Sequence, residues 1–233
     1  MTNDHDLTRH HGLEGGALVA SLHWEFGGRL ALVSSFGAES VVLLHMVACI
    51  DRAIPVIFLD TGKHFWQTGY YRSKIVDLLG LKDVRVIRPH AVDIALLDPH
   101  GTLSGTDPDA CCDIRKVRPL ERALEGFDAV LSGRKSYHGQ GRDQLASVSL
   151  DRNGRVKGEP LAGYDARAIA RYLKRHDLPT HPLVKQGYFS IGCADCTKAG
   201  GSADDPRAGR WAGQDKTECG IHLSTDGRLV RTQ

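Results

Sequence analysis

The chain has no apolar stretch long enough to cross a membrane. Its longest apolar run, VVLLHMVACI from Val41 to Ile50, is about half the length a span requires. The opening MTNDHDLTRHHGLEGG is polar and lacks the apolar core of a signal peptide, so the expectation is a soluble, cytoplasmic protein without a membrane partner. A basic surplus is missing as well. Lys plus Arg number 30 against 28 Asp plus Glu, a formal net charge of +2. That balance argues against bulk nucleic-acid binding and leaves room for a local anion pocket. No internal repeat or low-complexity block occurs. There is no G-x-x-x-x-G-K-[ST] and no complete G-x-G-x-x-G, because Gln144 stands where Gly139 and Gly141 would need their third partner. The 12 histidines contain no H-E-x-x-H.

What is present points to one α/β domain, or one domain with an appendage. The chain has 233 residues and 41% of them are apolar, enough for a sizeable core. RLALVSSF, IPVIFLD, DAVLSG and the weaker VRVIRP are short, bounded apolar runs. Helix-length segments such as ESVVLLHMVACIDR and QTGYYRSKIVDLLG separate them. Strand, helix, strand repeated implies a mostly parallel sheet covered by helices, with ligands bound at the carboxyl ends of the strands. LASVSLDRNGRVKGEPL reads as a hairpin whose Asn153-Gly154 pair supplies positive φ angles. DARAIARYLKRHD reads as a helix capped by Asp165. From Gly200 onward Gly, Asp, Arg and Pro dominate, which predicts a mobile tail or lid.

Three loops follow predicted strands. SSFGAES offers Ser34, Ser35, Gly37 and Ser40 at a helix N-terminus, a natural anion site, although an ordinary serine-capped turn explains the stretch slightly better. LDTGKHFWQT puts Asp60, Thr61, Gly62 and Lys63 where a ribose, a base edge or an anion could be met. SGRKSYHGQGRD carries Arg134, Lys135 and Arg142, whose forks suit sulfate and phosphate oxygens. Each loop alone is weak; three at successive strand ends favour an anionic, nucleotide-like ligand.

Six cysteines in a cytosolic protein suggest metal or redox chemistry more than structural disulfides. Cys193 and Cys196 form C-x-x-C, which lets two thiolates converge. Cys111 and Cys112 are adjacent, and on a helix adjacent side chains diverge by about 100°. That splay suits a compact tetrahedral zinc poorly and an iron–sulfur cluster better, with zinc and a redox disulfide left open. Lys116, four residues after Cys112, shares its face on a helix. Cys49 lies in an apolar run and reads as a small buried hydrophobe. Cys219 stands alone in DKTECGIH, between Lys216 and His222.

With SSFGAES, LDTGKHF, CCDIRKVRPL, SIGCADCT, DPRAGRWAG and DKTECGIH together, the chain resembles the assimilatory adenylylsulfate and phosphoadenylylsulfate reductases. The resemblance runs over nearly the whole chain after the first dozen residues. It implies an adenine-nucleotide α-hydrolase-like fold related to the pyrophosphate-loop ATPases, with residues 12–199 as the nucleotide- and cluster-binding body and 200–233 as a mobile tail. The paired cysteines are similar to those of the iron–sulfur branch. By that resemblance Cys111, Cys112, Cys193 and Cys196 would bind a [4Fe-4S] cluster, and Lys116 would lie between cluster and substrate. Ser34 to Ser40, Asp60 to Lys63, Arg134 or Arg142, Arg207 and Arg210 would line the substrate site. Cys219 would be the nucleophile, with Lys216, His222 and nearby arginines lowering its pKa against Glu218.

The activity so implied is reduction of adenosine 5′-phosphosulfate to sulfite and AMP, in sulfate assimilation and cysteine biosynthesis. With four thiols on the cluster and Cys49 buried, no internal thiol remains to resolve an S-sulfonated Cys219. The resemblance therefore implies an external dithiol, thioredoxin or glutaredoxin. A homo-oligomer is left open. Two readings compete: the 3′-phosphorylated nucleotide as substrate, and an ATP-dependent tRNA-thiolating enzyme. The second is disfavoured by Phe36 and Glu39, which replace the Gly and Asp of S-G-G-x-D-S. A zinc-stabilised binding module would leave the tail thiol unexplained.

Overall fold

The computed structural model describes residues 7–138, 142, 145–202, 205–213, 216, 218, 220 and 221. The four apolar runs become strands β1 (Leu30–Val33), β2 (Val56–Leu59), β3 (Val84–Ile87) and β4 (Ala129–Leu131). β5 (Val148–Leu150) and β6 (Val156–Gly158) form the expected hairpin. All six strands join one sheet in the order β3-β2-β1-β4-β6-β5, parallel except for β5. The β-branched and aliphatic content of β1, β2 and β4 fits burial on both faces, and nearly every residue of the three is buried. β3, at the edge, is only partly covered.

Helices α1 (Gly15–Phe26) and α2 (Ser40–Ile50) pack on each other over one face. Their Leu18, Leu22, Val41, Leu44 and Val47 meet Leu30, Leu32, Phe58 and Leu131 of the sheet. α3 (Trp66–Leu79) extends this layer; α4 (Ala91–Leu97), α5 (Leu103–Thr106) and α6 (Pro108–Cys112) follow β3 in sequence. Across the sheet, α7 (Arg118–Ala123) brings Leu120, with Leu124 and Phe127 beyond it, against Ala31, Ile57, Leu59 and Val130. Between α6 and α7 the chain makes a π-helical turn, Asp113–Val117. Pro119 has no N–H to give to the ladder there, which favours the wider turn. α8 (Ala166–Arg175) packs on α2. Among the described residues no helix is long and apolar enough to cross a membrane.

Three local expectations meet different outcomes. Asp165 does cap α8, its Oδ1 accepting from Ala168 N–H at 2.6 Å. The hairpin turns otherwise than Asn153-Gly154 suggested: only Gly154 has positive φ, +76°. Asp151 Oδ1 accepts from the N–H groups of Asn153 and Arg155 at 2.8 and 2.9 Å, so a capped loop replaces the tight turn. Cys49 is exposed rather than buried. α2 turns Val41, Val42, Leu44, Met46 and Val47 into the core. Cys49 falls outside that stripe beside His45, whose ring nitrogens are 3.8 and 3.7 Å away.

Candidate active site

The connection from β1 runs to β2 on one side, while β4 lies on the other. The carboxyl ends of β1 and β4 therefore part at a topological switch point, the usual ligand crevice of such sheets. A cavity of about 200 Å³ opens there. Ser34, Ser35, Gly37 and Ser40 form its β1 wall, and Ser132, Arg134 and Lys135 its β4 wall. The serines also make the turn. Ser34 Oγ accepts from Phe36 N–H at 3.3 Å, and Ser40 Oγ accepts from Gly37 N–H at 2.8 Å. Phe36 is held at a φ of 48°, a left-handed conformation uncommon outside glycine. A Cβ on Gly37 would stand 3.0 Å from Ile191 O and 3.2 Å from Ser35 Oγ, a tight approach that glycine makes without displacing either neighbour.

The cavity is lined by Lys116, Arg134, Lys135, Arg142, Arg207 and Arg210, against the carboxylates of Glu39 and Glu218. Most of these charges are matched locally. Arg134 Nε donates to Glu159 Oε1 at 2.8 Å; Glu159, fully buried beyond β6, also accepts from Ser132. Lys135 Nζ stands 3.1 Å from Glu39 Oε2, and Tyr137 Oη donates to Glu39 Oε1 at 2.6 Å. Burial would raise the Glu39 pKa, but Lys135, His138 and Tyr137 outweigh it and hold it at about 2. Burial draws His138 down to about 4. It also keeps His64 below its ordinary value while Nε2–H donates to Leu59 O at 2.9 Å. Glu218 pairs with both Arg142 and Arg207.

Beside the cavity four thiols are buried: Cys193 and Cys196 against Trp211, Cys111 within electrostatic reach of both, and Cys112 next to it on α6. Trp211 forms a common wall. It lines the cavity and packs on Cys193 and Cys196. Its ring carries the guanidinium groups of Arg210 and Arg207 at 4.4 and 5.3 Å, within cation–π range. Its backbone N–H donates to Cys196 O at 3.0 Å. Thr61 Oγ1 lies 3.2 Å from Cys193 Sγ. Burial pushes the Cys196 and Cys111 thiols up. Lys116 and Arg210 oppose this at Cys196, and Arg115 and Lys63 oppose it at Cys111. Arg115 Nε, Arg210 Nε and Trp211 Nε1 are buried donors without an acceptor among the described residues. Among those residues no three His, Cys, Asp or Glu side chains gather as ligands of one metal ion. Four thiols ringed by cations and spare N–H donors fit an anionic group larger than a single ion.

The first loop and the arginines are thus brought together as expected. Asp60, Thr61, Gly62 and Lys63 are not part of the cavity lining. Asp60 Oδ2 accepts from Arg88 at 3.0 Å and its Oδ1 from Gly62 N–H at 3.2 Å. Thr61 is fully buried against Cys193, and Lys63 Nζ donates to Gly101 O and Asp195 at 2.8 and 2.7 Å. The cause is that the loop is drawn toward the thiol side, with Ala194 N–H donating to Lys63 O at 2.7 Å. Lys116 lies in the π-helical turn rather than one α-turn past Cys112, yet it reaches the cavity wall. Arg134 and Arg142 both line the cavity. Cys219 and His222 lie outside the described residues. Of the assigned tail, residues 205–213 pack on the body, Lys198 N–H donating to Gly209 O at 2.9 Å. Lys216 donates to Pro108 O and pairs with Asp109, and Ile221 packs beside Leu59 and Leu120. Sequence reasoning passed over Glu39, Tyr137, Glu159 and Trp211 as site residues. GAES at the helix start and RW in DPRAGRWAG were the available signals.

Residues 29–199 match the family described as phosphoadenosine phosphosulfate reductase domain. The chain belongs to that family. It is similar to an adenosine 5′-phosphosulfate reductase of Mesorhizobium japonicum, 49% identical over 199 residues, covering 85% of this chain and 78% of that protein. A phosphoadenosine 5′-phosphosulfate reductase of Gloeobacter violaceus is 36% identical, covering 95% and 93%. The crystal structure of a phosphoadenylyl-sulfate reductase from Candida auris, in phosphate complex, superposes with a TM-score of 0.67 at 25% identity. It covers 78% of this chain and 89% of that one.

Proposed function

We propose that the protein reduces adenosine 5′-phosphosulfate to sulfite and AMP. The observation that carries this reading is the cavity at the β1/β4 switch point, whose lining gathers Arg134, Lys135, Arg142, Arg207 and Arg210. Guanidinium forks match the oxygens of phosphate and sulfate. In the reaction the Cys219 thiolate attacks the sulfur, its S–S bond forms as the S–O bond to phosphate breaks, and AMP leaves. The product is an S-sulfonated Cys219. A dithiol protein of the thioredoxin or glutaredoxin class then attacks the Cys219 sulfur. Sulfite departs with the electron pair, and the donor's second thiol closes its disulfide to return Cys219. Exposed Cys49 does not replace that donor. It lies in the last turn of α2, roughly 14 Å along the axis from the cavity end of the helix at Ser40.

Cys111, Cys112, Cys193 and Cys196 would hold a [4Fe-4S] cluster, which supplies a fixed charge beside the anion site. Lys116, at the shared wall, would balance that charge and meet the substrate's sulfonate. Preference for the 5′-phosphosulfate over its 3′-phosphorylated form is supported by the more similar of the two relatives, named for that substrate. Sulfite release from both nucleotides with a thioredoxin system tests the reading. Wild-type protein given substrate without reductant should yield AMP and an adduct one SO₃ heavier on the Cys219 peptide. Cys219→Ser should bind nucleotide but not turn over. An adduct on Cys49, or near-normal turnover by Cys219→Ser, refutes the mechanism. Iron and sulfide near four each per chain test the cluster; stoichiometric zinc without sulfide refutes it.

A further inference from the structure

Among the described residues, Glu218 is the one carboxylate lining the cavity that comes from the tail. Its Oε1 accepts from Arg142 Nε at 2.6 Å and pairs with Nη2 of the same guanidinium. Its Oε2 lies 3.6 Å from Arg207 Nη2. Both arginine side chains are 7% exposed, and Glu218 is 15% exposed. A carboxylate held in the fork of one guanidinium and beside a second has the contacts that a sulfonate or phosphoryl group would take.

The other carboxylates that pair with the cavity's cations cannot play this part. Glu159 is fully buried just past β6 and holds Arg134. Glu39 is fixed by Lys135, Tyr137 and His138. Glu218 stands instead on a segment whose other anchors, Lys216 on Asp109 and Ile221 against Leu120, are separate contacts that a side-chain exchange at Glu218 does not break.

We infer that Glu218 is a resident counter-ion of the anion subsite, occupying Arg142 and Arg207 until the terminal sulfonate of the substrate displaces it. It is a positioning residue, and the inference rests on the proposed substrate. Without it the buried Arg142 guanidinium would lose the acceptor in its fork, an unfavourable state for a charge removed from water; with it the subsite stays assembled. The exchange makes anion binding competitive with the Glu218 contact alone, while the Lys216 and Ile221 anchors keep their places on the body. The same contact lowers affinity for every anion at that subsite and leaves affinity for the uncharged nucleoside alone.

The test is isothermal calorimetry of adenosine, AMP and ADP, whose terminal phosphoryl stands in for the sulfonate, on wild type, Glu218→Gln and Glu218→Ala. Removing the carboxylate should tighten ADP about tenfold, a difference of about 1.4 kcal/mol. AMP should gain less, and adenosine should not change. The ADP gain should shrink with added salt in both variants. Unchanged iron content and thermal midpoint exclude a folding defect. If Glu218→Gln and Glu218→Ala bind ADP no tighter than wild type, or adenosine gains as much as ADP, the displacement is wrong and the substrate reading stands. If wild type binds neither AMP nor ADP, the substrate reading itself falls and takes the displacement with it.

Discussion

The two sides of Trp211 hold their charges in opposite ways. On the thiol side Arg115 is fixed by Asp98 at 2.7 Å and by Thr61 O at 2.9 Å, and Asp98 in turn accepts from Leu103 N–H at 3.0 Å. Asp98 and Thr61 are buried and lie outside the cavity lining. On the cavity side, cations pair with carboxylates that also line the space: Lys135 with Glu39, Arg142 with Glu218. Cations tied to backbone keep a pocket's shape. A cation tied to a carboxylate that shares the pocket, as Arg142 is to Glu218, can re-pair when an anion arrives.

Breaking the Arg115 tie is the harshest test of that contrast. Asp98→Asn should leave the Arg115 charge uncompensated and cost about 3–5 kcal/mol of stability, read from urea unfolding, with ADP affinity of the folded protein retained. Lys135→Met should do the reverse. It strands Glu39 in the cavity and weakens ADP about tenfold. It costs stability only about 1–2 kcal/mol, because Tyr137 and His138 still serve the carboxylate. If the first change chiefly weakens binding, or the second chiefly unfolds the protein, the two sides do not differ as described.

The smallest effect is a pH response of the packing rather than of the site. His181 is fully buried; its Nδ1 accepts from Leu183 N–H at 3.2 Å, its Nε2 lies 3.1 Å from Thr68 Oγ1, and burial draws its pKa to about 4. The unfolded histidine titrates near about 6.5. The folded state thus takes up its proton later as pH falls. The stability contribution is full above about pH 6.5 and is lost as pH drops toward 4. Between pH 7 and 5 the loss should be about 1–2 kcal/mol for this group. His181→Asn keeps an acceptor for Leu183 and should flatten the urea-midpoint profile over that interval; an unchanged slope would assign the acid loss to other histidines.

Much of the site was legible as strand-end loops. Ser34 to Ser40 and the basic loop at Arg134 follow apolar runs whose burial forces them to the same sheet edge. The loop at Asp60 to Lys63 also follows a strand, yet it does not line the cavity. Its strand, β2, lies one place away from the switch point, and the C-x-x-C segment draws the loop to the thiol side. Cys49 misled because an apolar run marks a helix without saying which residues of its last turn face water.

Local chemistry determined the strands, the Asp165 cap, the cysteine spacing and the basic loops, since each depends on neighbours within a few residues. Family membership also rests on that linear order, and residues 29–199 carry it. Tertiary structure alone decided which cation met which carboxylate. Arg142 and Glu218 are 76 residues apart, and Arg134 and Glu159 are 25 apart. Such pairs form only where the sheet order brings distant loops to one crevice, and no local pattern encodes a distance across a sheet.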